Sequence, residues 1–139
     1  MRGKVLCFVV AMVLLAEVVY ADVMIIANPD VQETHLSQSE LQEIFLGKRV
    51  MWQNNVRIKF IISKNAKLHE AFLKVYMRKS VSQFRSYWRN MVFTGKGTFP
   101  TGFETTQEVI DYVGSTSGGI GYIDAGSKIS TVKSITIEK

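Results

Sequence analysis

The sequence predicts an α/β domain, and three observations predict it. Short apolar runs recur at residues 22–28, 55–63, 118–124 and 132–139. Four other segments place apolar residues at the three- and four-residue spacing of a helix, each opened by Ser, Thr or Asn. The two kinds follow one another as β-α-β-α-α-α-β-β instead of separating into an all-β and an all-α half, as mixed layers require.

Each element has its own signal. "DVMIIAN" (22–28) is apolar and closes at Asn28-Pro29, so it reads as a buried strand. "SQSE" (37–40) fits a capping box, with Ser37 capping and Glu40 reaching back. Leu41, Ile44 and Phe45 share one face of the helix that follows, and Gly47 fits the position just past its end. In "NVRIKFIIS" (55–63), Val56, Ile58, Phe60 and Ile62 alternate with Arg57, Lys59 and Ile61, a strand pattern. From Asn65 onward, Leu68, Ala71, Phe72, Val75 and Tyr76 line one helix face. Ser80 restarts a helix carrying Phe84, Tyr87, Trp88 and Met91 at the same spacing. "TGKGTFPTG" (94–102) is a loop by composition. Thr105 and Glu108 suggest a second capping box, for a helix anchored by Ile110 and Val113. "GGIGYID" (118–124) is a strand entered through glycines, and "VKSITIEK" (132–139) is the last strand.

Ahead of these elements, Arg2 and Lys4 precede an almost wholly apolar run from Val5 to Ala16, and Val19 and Ala21 suit a signal peptidase. Residues 1–21 therefore read as a signal peptide cut after Ala21, leaving one domain over 22–139. The run is shorter than the roughly 20 residues a bilayer span needs, and Glu17 interrupts it, so no stable membrane anchor is expected. Cys7, the one cysteine, falls inside the leader. The mature chain then has no disulfide, thiol nucleophile or Cys-bound zinc, which suits an oxidising compartment such as the periplasm.

Residues 22–139 carry fifteen Lys and Arg against eleven Asp and Glu. Between residues 48 and 96, twelve cations stand against one acid, Glu70. Such a basic half favours an anionic ligand, an acidic partner or anionic lipid; alternatively, these cations line solvated helix faces. An exported chain is not expected to meet nucleic acid.

Catalytic patterns are missing. His35 and His69 have no partners at metal-ligand spacing, and both read as surface residues. His69-Glu70 begins like a zinc-protease motif, but Leu73 stands where the second His would be. "GSTSG" (114–118) has Thr116 where a nucleophile elbow needs Ser. "TGKGT" (94–98) lacks the upstream Gly of a phosphate loop. Glu104, Glu108 and Asp111 fit the first turns of one helix, where acids are favoured anyway. No enzyme, metal or cofactor is expected.

The succession "LQEIFLGKRVMW" (41–52), an apolar strand, a helix bearing Phe72, "YWRNMVFTGKGTFP" (87–100) and "VIDYVGSTSGGIGYI" (109–123) resembles the periplasmic phosphate-binding proteins of ABC transporters. It is most similar to their short, single-lobe relatives. The resemblance implies one lobe of the type II periplasmic-binding-protein fold, a mixed sheet flanked by helices. It gives the matched positions structural roles. Trp52 covers the core edge below the helix stop, Gly118 and Gly119 make a tight turn, and Gly121 permits a close backbone approach.

The resemblance also implies phosphate, or another small oxyanion, as ligand. The candidate site is the strand-to-helix turn "SKNAK" (63–67): Ser63 and Asn65 as donors, Lys64 and Lys67 as cations, at a helix start that favours anions. Full-length relatives have a turn rich in Gly, Ser and Thr there; this chain has Asn65, Ala66, Lys67 and Leu68. Ser63 or Asn65 acting only as a helix cap is the plainer alternative. Asn28, also following a strand, is a secondary candidate facing the same crevice, or simply a turn residue. Two functions remain open. One is a substrate-binding protein for uptake or sensing. The other is a lobe without ligand binding that docks on an acidic envelope receptor or transporter through Arg78, Lys79, Arg85 and Arg89.

Overall fold

The computed structural model describes residues 22–139; the expected signal peptide lies outside the described residues. Five strands form a mixed sheet. β1 (Val23–Ala27) pairs antiparallel with both β6 (Gly119–Asp124) and β7 (Lys133–Glu138). β2 (His35–Ser37) runs parallel to β7, and β3 (Lys59–Phe60) parallel to β6, giving the order β2-β7-β1-β6-β3. A separate ribbon joins β4 (Ile62–Ser63) to β5 (Gly102–Phe103). The helices are α1 (Gln38–Phe45), α2 (Ala66–Phe72), α3 (Val81–Phe93) and α4 (Thr106–Ser115). This is the expected α/β architecture.

Both sheet faces are covered. Ile25, Ala27, Ile120 and Tyr122 belong to a core shared with α1, α2 and α3. Ile26 and Ile123 belong to a second core with Val109, Ile110 and Val113 of α4. That is why β1 and β6 are apolar at consecutive positions instead of alternating.

The Gly47 stop forms as expected. Gly47 has φ +71°, its N–H donates to Ile44 O (3.1 Å), and Lys48 N–H donates to Glu43 O (2.8 Å). This is a Schellman motif. The last carbonyls of the turn are met from α3: Trp88 Nε1 donates to Phe45 O (3.2 Å) and the Tyr87 hydroxyl to Leu46 O (2.6 Å). Downstream, Arg49 pairs with the buried Glu33 (3.4 Å) and lies over the Trp52 ring (5.8 Å). Trp52 is itself buried, and its Nε1 donates to Gly118 O (2.9 Å).

Three details differ from expectation. The strand over 55–63 is broken. Asn55 turns the chain with φ 61°, and Met51 bridges Arg57. Ile61 N–H still reaches Ile120 O, after which Ile62 and Lys64 pair with the 101–103 segment. Ile61 enters the α4 core while Ile62 enters the other, so alternation ends where both faces are buried. Second, β2 and β5 are strands that no periodicity announced; each is only two or three residues long and is held by its partner. Third, α2 widens into a π-helical stretch, Leu73–Met77. The wider turn rotates the buried face, so Leu73 and Met77 are buried and Val75 is exposed. The side-chain amides of Gln38 and Gln42 meet the carbonyls of Val75 and Tyr76 that this leaves.

The capping boxes are similarly specific. Ser37–Glu40 is complete, and so is Ser80–Gln83. At α4, Thr105 caps Glu108 N–H (3.2 Å), but the Glu108 carboxylate accepts from the Thr105 hydroxyl (2.9 Å), so the second box is only half made.

Gly118 has φ +74°, and a Cβ there would lie 2.1 Å from Arg57 O. Gly118→Ala combines left-handed strain with a backbone clash, and a loss of about 3 kcal/mol or more is expected in urea unfolding. Gly126→Ala, where a Cβ meets nothing within 4 Å, should change stability little.

Candidate anion-binding site

Ser63 ends β4 and is buried. Its backbone N–H donates to the Tyr122 hydroxyl (2.9 Å), and its Oγ accepts Asn65 N–H (3.1 Å). Asn65 caps α2, its Oδ1 accepting Leu68 N–H (3.1 Å). The capping half of the expectation is thus realised. Of the first-turn amides, those of Ala66 and Lys67 have no acceptor among the described residues.

Beside this turn lies a cleft of about 330 Å³, where Ser63, Lys64 and Ala66 face His69, Glu70, Phe84 and Arg85. Lys64 and Arg85 bring two cations from different elements; Glu70 is the one acid on the lining. Asn65 and Lys67 are exposed next to it but do not line it.

His69 is half-buried, not the surface residue expected. Its Nδ1 lies 2.5 Å from the Tyr122 hydroxyl, and its ring stacks on Tyr122 (6.2 Å) and meets Phe84 edge-on (5.6 Å). Tyr122 is fully buried, stacked on Phe72 at 3.9 Å, and burial pushes its hydroxyl far above the ordinary phenol range. Burial first, and the Arg85 charge second, hold the His69 imidazole below its usual value.

Asn28 is not part of this cleft. β1 runs antiparallel and β3 parallel to β6, with Ala27 and Phe60 both level with Ile120, so the chain leaves them in opposite directions, towards Asn28 on one side and Ser63 on the other. The Asn28 amide donates to Val113 O (3.0 Å) and Gly114 O (3.1 Å), and its oxygen accepts Asp30 N–H (3.0 Å). It is a buried structural joint that caps the end of α4.

The four cations read as one patch are divided. Arg78 and Lys79 border a hollow of about 600 Å³ that adjoins the cleft at Glu70 and Val81. Arg85 and Arg89 border another, of about 360 Å³, with Val92, Phe93 and Phe99. Among the described residues, no three His, Cys, Asp or Glu side chains gather as a metal site, and no helix is long and apolar enough to cross a membrane.

His69 and Arg85 are cleft residues that the sequence did not assign to the anion site: it placed His69 on the surface and Arg85 in a basic docking patch. His69 carried a usable signal, since it lies three residues before Phe72 on the same helix. Arg85 carried none, because only the packing of α3 beside α2 brings it in.

The model of the PBP superfamily domain matches residues 13–138. The chain belongs to the PBP superfamily. Among solved structures, this PBP domain is similar to an ABC-type phosphate transport receptor from Vibrio cholerae (16% identity, TM-score 0.57), covering 84% of this chain and 46% of that one. It is also similar to a putative phosphate ABC transporter substrate-binding protein with bound phosphate from Clostridium perfringens (14%, TM-score 0.64; 83% and 44%). PstS from Borrelia burgdorferi is a third such structure (17%, TM-score 0.64; 83% and 46%). At these identities the likeness is one of fold, and the chain spans under half the length of each. No curated protein matches the chain.

The depressed His69 pKa has a consequence for stability. The unfolded chain takes up a proton near pH 6.5 that the folded chain refuses until lower pH. Stability from this group is therefore complete above about pH 7.5 and falls as the pH drops through 6.5 towards the folded pKa. Urea unfolding at about pH 7.5 and 5.5 should show a larger loss in the wild type than in His69→Gln.

Proposed function

We propose that this chain is a single-lobe substrate-binding protein that takes a small oxyanion, phosphate first among them, for uptake or sensing in the periplasm. The observation that carries this is the cleft itself: Lys64 and Arg85, from different elements, both line it at the buried end of β4, beside the free amides of α2. The PBP fold and the phosphate receptors that share it support the same reading.

The parts have distinct chemistry. Arg85 offers a planar fork of N–H donors suited to two oxygens of one anion, while Lys64 is a point charge on a flexible stem. The Ser63 hydroxyl accepts from Asn65 N–H and keeps its own proton to donate. Residues 1–21, as a cleaved leader, would deliver the domain to the periplasm.

A second reading has its own observation. Phe93 is 89% exposed, with Phe99 and Val92 about half exposed beside Arg85 and Arg89. An apolar, cationic face of this kind suits an acidic protein surface, such as an envelope receptor or transporter.

Calorimetric titration at fixed ionic strength separates the two. Phosphate should bind with one-to-one stoichiometry, and a neutral sugar should give no heat. Lys64→Glu and Arg85→Glu should each weaken phosphate at least about tenfold, the scale of a charge-assisted hydrogen bond. Lys67→Glu, outside the cleft, should do less. Equal affinity in all variants would remove the site, and no phosphate binding at millimolar concentration would leave the docking face as the better reading.

A further inference from the structure

We propose that His69 is a ligand-contacting residue: a neutral imidazole whose Nε2–H donates to the anion, held in that tautomer by Tyr122 acting as a positioning residue. The ligand half of this rests on the oxyanion reading of the cleft; the tautomer half rests on geometry alone.

The Tyr122 oxygen accepts Ser63 N–H at 2.9 Å, and its ring is fixed against Phe72 at 3.9 Å with planes 7° apart. A phenol carries one proton of its own, which in a fully buried position needs an acceptor. Among the described residues the acceptor in reach is His69 Nδ1, at 2.5 Å. If Nδ1 carried hydrogen instead, either two hydrogens would meet on that line, or the Tyr122 hydroxyl would turn away to accept it and leave its own proton buried without a partner. Nδ1 therefore accepts, and the ring proton sits on Nε2.

Nε2 lies on the far side of the ring from Tyr122. It has no partner among the described residues and is not among the buried atoms left unpaired, so it faces the cleft that His69 lines. The groups around the ring come from four directions: Tyr122 of β6, Arg85 and Phe84 of α3, Glu70 of its own helix, and Lys64 across the cleft. Arg85 and burial both oppose a second positive charge here, and Glu70 is exposed. The outcome is a fixed, uncharged donor in a cleft that two cations also line, which adds direction to the site without adding charge.

The test is long-range ¹H–¹⁵N NMR of the purified protein, with exposed His35 as the internal reference, before and after adding inorganic phosphate. The ligand-free spectrum at neutral pH should show His69 uncharged, with Nδ1 unprotonated and Nε2 protonated. Phosphate should shift Nε2. His69→Phe should weaken phosphate several-fold and His69→Gln, which keeps a donor, should recover part of the loss. Tyr122→Phe should release the tautomer and change the dependence of phosphate affinity on pH between about 5.5 and 7.5 relative to the wild type, whose profile then reflects the titration of phosphate itself. A charged ring at neutral pH, or hydrogen on Nδ1, would overturn the proposal from the wild type alone, whether or not Tyr122→Phe folds. Phosphate binding that leaves Nε2 unmoved would overturn the contact while sparing the oxyanion reading. No phosphate binding at all would overturn both the oxyanion reading and the contact.

Discussion

On strand β6 the core beneath α4 packs directly onto the backbone of Gly121: a Cβ there would meet Ile61 Cδ1 at 2.9 Å and Val109 Cγ1 at 3.2 Å. The strand is gripped from both sides. Ile120 and Tyr122 face α1, α2 and α3, while Ile123 faces α4. Because β6 is fixed, Tyr122 is fixed, and its hydroxyl leads from the packed interior to the cleft. The backbone of Ser63 and the ring of His69 are both oriented by it. Sheet packing and site geometry are thus one structure, since the rigid element beneath the cleft is the most buried strand of the domain.

The corner after α1 serves the same end from the other side. Gly47 leaves space for Trp88, Trp88 and Tyr87 meet the carbonyls at the end of α1, and Trp52 reaches Gly118 at the entrance to β6. Arg49, stacked over Trp52 and paired with Glu33, ties the loop after β1 into the same joint. The glycine stop, Arg49 and Trp52 make one connection between α1, α3 and the start of β6.

What was legible in the sequence was local. Caps at Ser37, Ser80 and Thr105, the stop at Gly47, and the turn and close approach at Gly118 and Gly121 depend on a few neighbouring residues, and they stand where the residue types put them. What was not legible depends on partners distant in sequence. β2 and β5 are too short to carry a period, and Ile61 departs from alternation only because α4 covers the second face. The π-helical stretch rotated the face of α2 that spacing alone assigned to Val75. The same division holds for the site. Ser63 and Lys64 were visible as a turn, but Arg85 arrives by helix packing. Asn28 was misplaced because a sequence does not state that β1 and β3 run in opposite senses.

The chain spans under half the length of the phosphate receptors it resembles in fold, so the cleft at the end of β4 is built from this lobe's own residues. The most direct measurement is a crystal structure of the protein soaked with tungstate, a heavy tetrahedral oxyanion located by its anomalous scattering. A single strong peak is expected within hydrogen-bond reach of Lys64, Arg85 and His69 Nε2. An empty cleft, or a peak only at Arg78 and Lys79, would contradict an oxyanion site at the end of β4.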